Sequence, residues 1–125
     1  MTLLLVIIGG AVGAPLRYLT DLFVQSKHDT AFPWGTLTVN VVGSAVLGGV
    51  LAAASVGHLS PDLVALLGTG LCGALTTFST FGFETVRLMQ EGAAVAAGLN
   101  VTVSLAAGFL AGAGAWALTL ALLAG

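Results

Sequence analysis

Four long apolar stretches occupy nearly the whole chain and constrain its fold more than any other feature. A helix that crosses a bilayer needs about 20 consecutive apolar residues, and the 125-residue sequence contains four such runs. Only 6% of the residues are charged, whereas a soluble domain has about 25% charged residues at its disposal to keep its surface in water. We therefore predict an all-α membrane protein with four transmembrane helices.

The short polar segments between these runs give the expected limits of the helices. We expect a single transmembrane domain over residues 1–125. Its helices are predicted at about residues 2–24, 35–56, 63–89 and 93–124.

The third run differs from the others at its centre. Residues 76–83 hold four hydroxyl side chains and three phenylalanines where a span ordinarily has Leu or Val, and glycines precede them. Such residues favour an interrupted helix, which lipid tolerates only where the interruption faces protein or a water-filled site. We expect the third helix to be broken near the middle of the membrane, at about residues 73–77.

Two helices carry a polar face that repeats every fourth residue, so that the residues of each face lie together. These faces consist of Thr36, Asn40, Ser44 and Gly48 on the second helix, and of Asn100, Ser104, Gly108 and Gly112 on the fourth. Each face is typical of one wall of a narrow polar track that continues into a close helix contact. The alternative is that the Asn and Ser side chains only join neighbouring helices by hydrogen bonds.

The lining of this track favours an anion as the transported species. Amide and hydroxyl groups can donate hydrogen bonds, and neither polar face carries a carboxylate. A cation pathway is expected to have Asp or Glu within the spans. Phe78 and Phe81 add ring edges with partial positive charge that can attract an anion, although ordinary packing is the alternative for both.

Two charged residues inside the spans each allow two interpretations. Arg17 lies late in the first helix, where it can extend to the interface and draw anions to a pore mouth, or pair with Asp21. Glu84 can take part in gating the track or in hydrating the transported ion, or it can form an ion pair with Arg87. With three Lys and Arg residues in all, the charge bias for both termini outside is weak, and the chain can insert in both orientations.

Three segments resemble the Fluc/CrcB family of fluoride channels. They are GGAVGAPLRY at 9–18, PWGTLTVNVVG at 33–43 and GLCGALTTFSTF at 70–81, the last followed by Glu84. The third is the most specific, and the three occur in order along essentially the whole chain. The resemblance implies a fluoride-selective channel for passive export through the cell inner (plasma) membrane.

The resemblance also implies an assembly and a set of site residues. The expected assembly is an antiparallel, dual-topology homodimer with two pores, or a dimer with an oppositely oriented homologous subunit. The carbonyls of Gly73 and Thr76 from each subunit are expected to hold a structural sodium ion, and Arg17 to lie at a vestibule. A tyrosine is common in the family where this chain has Asn100. The expected fluoride pore residues are Asn40, Phe78, Phe81, Ser104, Thr80, Thr36 and Glu84.

The residues are compatible to different degrees with three other classes of protein. A small proton-coupled multidrug transporter also has four spans, but it needs a carboxylate within the membrane, and Glu84 is the one candidate. A non-transporting assembly subunit is compatible with the glycine-rich faces alone. We do not expect an enzyme, because no nucleophile–base pair is visible, or a nucleic-acid partner, because the net charge is only −2.

Overall fold

The structure is a computed structural model that describes residues 2–28 and 32–124. The helices are α1 (Thr2–Ser26), α2 (Trp34–Ser55), α3 (Pro61–Val64), a π-helical segment (Ala65–Cys72), α4 (Gly73–Leu75), α5 (Ser79–Gln90) and α6 (Ala94–Ala124). Four segments of this described chain are long and apolar enough to cross a membrane, with Pro61–Gln90 forming the third. The predicted all-α architecture with four long apolar helices is therefore confirmed.

The third span changes its helical geometry twice along its length. Ser60 caps its start, because the Ser60 hydroxyl oxygen accepts a hydrogen bond of 3.3 Å from the backbone N–H of Leu63. In the π-helical segment each hydrogen bond spans five residues instead of the four of an α-helix, a geometry often found at functional sites. Helical structure ends at Leu75 and resumes at Ser79, and the intervening Thr76 is extended, with φ −80° and ψ 157°.

Glycines allow the spans to approach one another closely. A Cβ atom at Gly48 of α2 would collide with the carbonyl oxygen of Gly112 in α6. A Cβ atom at Gly13 of α1 would likewise collide with the carbonyl oxygen of Leu71 in the π-helical segment. In a bilayer, where lipid is as apolar as the side chains, this backbone proximity is a main source of helix association.

Gln25 links the end of α1 to the residues around the start of α2. Its Nε2 donates to the carbonyl oxygen of Phe32 at 3.0 Å, and its Oε1 accepts from the backbone N–H of Gly35 at 3.1 Å. The second bond satisfies one of the free N–H groups at the start of α2. The first helix accordingly extends to Ser26, two residues beyond the predicted end.

Candidate functional site

A groove of about 730 Å³ opens on the chain between α2, α6 and the third span. Its floor contains the site where helical structure stops, and its walls come from the two polar faces. Six of the residues predicted for the fluoride pore or the sodium site line it: Asn40, Gly73, Thr76, Phe78, Phe81 and Ser104. Every polar side chain among the lining residues is an amide, a hydroxyl or a thiol, and none is a carboxylate.

The side chain of Asn40 is bound to the backbone of Thr77 by two hydrogen bonds. Its Nδ2 donates to the Thr77 carbonyl oxygen at 3.0 Å, and its Oδ1 accepts from the Thr77 N–H at 2.7 Å. These bonds satisfy backbone groups that an uninterrupted helix would have paired internally. One N–H of the Asn40 amide is left for another acceptor.

Thr77 also begins the second half of the span. Its Oγ1 accepts from the backbone N–H of Thr80 at 3.2 Å, and so satisfies a free N–H in the first turn of α5 from one residue before the N-cap position. The same oxygen lies 3.2 Å from the hydroxyl of Thr80 and 3.4 Å from that of Ser79. Thr77 was missed as a site residue from the sequence, although it lies within the predicted break at residues 73–77.

Phe78 and Phe81 lie on the same groove rather than in separate cavities. Their ring centroids are 5.9 Å apart and their planes are inclined by 46°. Phe78 is 82% exposed in the single chain, so its ring edge is accessible from the groove. An aromatic edge carries partial positive charge, and two such rings beside Asn40 add weak attraction for an anion.

A second, smaller cavity of about 150 Å³ lies on the other side of the interruption. Arg17 and Asp21 line it together with Thr36, Thr77 and Thr80. The Nε of Arg17 is buried and has no hydrogen-bond partner among residues 2–28 and 32–124. Thr77 lines both cavities. The interruption of the third span therefore lies between the groove and the cavity that contains the Arg17 side chain.

A side-chain hydrogen bond joins Thr36 of α2 to Glu84 of α5. The hydroxyl of Thr36 donates to the carboxylate of Glu84, and Thr36 is only 3% exposed. Within the described part of the chain the one ion pair joins Arg87 to Glu91 at 3.6 Å. The two ion pairs weighed above, of Arg17 with Asp21 and of Glu84 with Arg87, therefore do not form.

A chain of hydrogen bonds connects α6 to α5. The hydroxyl of Ser104 donates to Oδ1 of Asn100 at 3.2 Å, and Nδ2 of Asn100 donates to Oγ1 of Thr85 at 2.8 Å. Thr85 in turn donates to the carbonyl oxygen of Phe81 at 2.8 Å. Thr85 was also missed from the sequence, although its spacing of four from Phe81 places the two on one helix face.

The backbone near Gly73 and Thr76 leaves oxygen atoms available. The Thr77 N–H, which would continue the helix by bonding to the carbonyl oxygen of Gly73, bonds to Asn40 instead. A Cβ atom at Gly73 would meet nothing within 4 Å, so this backbone is open to the groove. Carbonyl oxygens are suitable ligands for a hard cation, but two from one chain do not complete its coordination.

The fold and the site together define a multi-pass membrane protein whose polar groups gather at an interrupted span. Residues 4–116 match the family model described as CrcB-like protein, Camphor Resistance (CrcB). Because this match covers most of the chain, the protein belongs to the CrcB family. The resemblance identified from the sequence is thereby confirmed.

Relatives of high identity carry the name of a channel. The fluoride-specific ion channel FluC 1 of Streptomyces avermitilis is 58% identical over 93% of this chain and 94% of its own length. The protein of the same name from Frankia casuarinae is 56% identical over 90% of this chain and 92% of its own. The fluoride-specific ion channel FluC of Shewanella oneidensis is 52% identical over 82% and 83%. This is a family of ion channels, and the expectation that the chain is not an enzyme is confirmed.

Proposed function

We propose that this protein is a fluoride-selective channel that lets fluoride leave the cell passively. The observation that carries the proposal is the groove, whose polar side chains can donate hydrogen bonds and include no carboxylate. Fluoride is small and strongly hydrated, so a pore must replace its water with fixed donors. The names of the relatives agree with this solute.

The groove requires a second subunit to become a pore. One of its sides is open, and an ion exposed to hydrocarbon there would be strongly disfavoured. Phe78 and Phe109 line the groove while being 82% and 74% exposed, so a partner would also cover a large apolar surface. We propose an antiparallel, dual-topology homodimer in which the two grooves give two pores; a dimer with an oppositely oriented homologue is the alternative.

The proposed pore uses the residues predicted from the sequence in two groups. In the groove, fluoride contacts the free N–H of Asn40, the ring edges of Phe78 and Phe81, and the hydroxyl of Ser104. Arg17 attracts the anion to the vestibule formed by the smaller cavity. Thr36 and Thr80 line the same cavity and, with Glu84, form the continuation of the track beyond the interruption.

The interrupted span is proposed to cross its counterpart at the dimer centre. The non-helical residues lie midway along Pro61–Gln90, which supports a break near the middle of the membrane. Two subunits together would offer four carbonyl oxygens from Gly73 and Thr76, a number suited to a buried sodium ion. Such an ion would act as a structural link, since a hard cation stabilises carbonyls freed from a helix.

Passive export requires only a plasma-membrane location. Hydrogen fluoride crosses the bilayer as a neutral molecule and releases fluoride at neutral pH inside. The negative interior potential then drives the anion outward, at about 2.3 kcal/mol per charge for each 100 mV. The chain needs no energy-coupling domain for this task.

Growth in fluoride provides a cellular test. A bacterium made sensitive by loss of its own fluoride export should grow in fluoride medium once it produces this chain. Ethidium resistance is measured in parallel, because the multidrug-transporter alternative predicts growth with ethidium instead. Membrane-inserted protein that gives no growth in fluoride contradicts the proposed function.

A further inference from the structure

A chain of hydrogen bonds runs from Ser104 through Asn100 and Thr85 to the backbone of Phe81, and its donors and acceptors can be assigned in one way. A backbone carbonyl can only accept, so the hydroxyl of Thr85 donates its single proton to Phe81. The Thr85 oxygen is then an acceptor for the N–H of Asn100. This places the amide oxygen of Asn100 toward Ser104, whose hydroxyl must donate to it.

Burial keeps this arrangement in place. Asn100 is 1% exposed, and an amide deprived of water requires protein partners for both of its polar atoms. If the amide were turned over, its N–H groups would face Ser104 and its oxygen would face the Thr85 oxygen. The Thr85 proton is already donated to Phe81, so the two oxygens would have no proton between them. Among the three side chains, Ser104 alone lines the groove.

We infer that Asn100 is a positioning residue that holds the proton of Ser104 away from the groove and so competes with the transported anion for it. This inference rests on the proposed function. A serine hydroxyl has one proton, so fluoride receives it only when the bond to Asn100 is broken. Asn100 thereby weakens fluoride binding at Ser104, which favours release of an ion that must also leave.

Asn100→Leu tests this with little change in side-chain size. The leucine removes the competing acceptor, while Thr85 keeps its bond to Phe81. A hydrogen bond contributes about 1 kcal/mol, so the fluoride concentration that gives half-maximal flux should fall about fivefold. Thr102→Val on the same helix is the matched control, because Thr102 is exposed and donates only to Gly98.

The deciding measurement is a double-mutant cycle on the reconstituted full chain. Fluoride efflux is recorded for wild type, Asn100→Leu, Ser104→Ala and the double variant. The inference predicts that Asn100→Leu lowers the half-maximal concentration only when Ser104 is present. Thr85→Val removes the acceptor of the Asn100 N–H with almost no change in shape, so the amide is free to turn its N–H groups toward Ser104 and release the serine proton. It should therefore shift the half-maximal concentration in the same direction, again through Ser104.

The outcomes separate this inference from the proposed function. If wild type conducts fluoride and the effect of Asn100→Leu is equal with and without Ser104, Asn100 does not act through that hydroxyl and the inference is wrong. An unchanged half-maximal concentration in Asn100→Leu and Thr85→Val also overturns it, and Thr85→Val alone decides if the leucine variant fails to fold. If folded wild type does not conduct fluoride, both the proposed function and the inference fail.

Discussion

The amide of Asn40 and the backbone of Thr77 form a closed pair of hydrogen bonds, of 3.0 and 2.7 Å. The pair attaches α2 to the place where the third span leaves helical geometry. Asn40 therefore has a structural task in the single chain, independent of any solute. The proposed contact with fluoride uses the one amide hydrogen that this task leaves free.

Asn40→Asp should abolish fluoride conduction while the proposed dimer survives. The carboxylate still accepts the Thr77 N–H, but it cannot donate to the Thr77 carbonyl and it repels an anion in the groove. Fluoride efflux from liposomes and size-exclusion chromatography measure the two properties. Thr38→Val, which removes a hydroxyl bonded within α2, is the control. Normal efflux through Asn40→Asp would disprove the proposed role of Asn40.

Thr77→Ala should destabilise the protein through α5. The hydroxyl caps that helix at the Thr80 N–H, and loss of such a cap costs about 1 kcal/mol. Thermal unfolding in detergent should show a lower midpoint than for Ser79→Ala, whose exposed hydroxyl caps nothing in the described chain. Equal midpoints for the two variants would show that the cap does not contribute.

The four apolar spans could be predicted because hydropathy is a property of consecutive residues. The unusual centre of the third span was visible for the same reason. The partners of its polar groups were not visible, since Asn40 and Thr77 are separated by 37 positions and Thr36 and Glu84 by 48. Such pairs depend on how the helices pack, and no local pattern encodes that.

The residues missed from the sequence illustrate the same limit. Thr77 lies in the predicted break and Thr85 in the helix after it, but the sequence does not show that their hydroxyls bond to Thr80 and Phe81. Arg87 could have paired with either of two glutamates, at three or four residues' distance, and the structure pairs it with Glu91. The roles of the pore residues and the sodium site remain predictions from the family resemblance.

Gly48→Ala should disrupt the contact between α2 and α6. The added methyl group would collide with the Gly112 carbonyl, and such overpacking typically costs about 1–3 kcal/mol. Gly114→Ala is the control, because a Cβ atom there meets nothing within 4 Å in the described chain. Both variants are compared by thermal unfolding in detergent. A Gly48→Ala protein as stable as Gly114→Ala would contradict the observed close approach.

Thr36→Val should reduce fluoride flux by about tenfold. The variant removes the hydrogen bond to the Glu84 carboxylate, and bonds to charged groups contribute about 1.5–3 kcal/mol. Glu84→Gln keeps an oxygen that can accept from Thr36, so its flux should fall less than that of Glu84→Ala. Flux is measured in liposomes at equal protein content. If Glu84→Gln and Glu84→Ala lose flux equally, the hydrogen bond between Thr36 and Glu84 does not support fluoride flux.

Reconstitution of the purified chain alone tests the central claim most directly. Liposomes loaded with potassium fluoride or potassium chloride receive valinomycin, and ion-selective electrodes follow the efflux of each anion. The proposed function predicts fast fluoride release with little chloride release, from a preparation that contains one kind of subunit. Folded dimers that release no fluoride, or that release chloride equally fast, would contradict it.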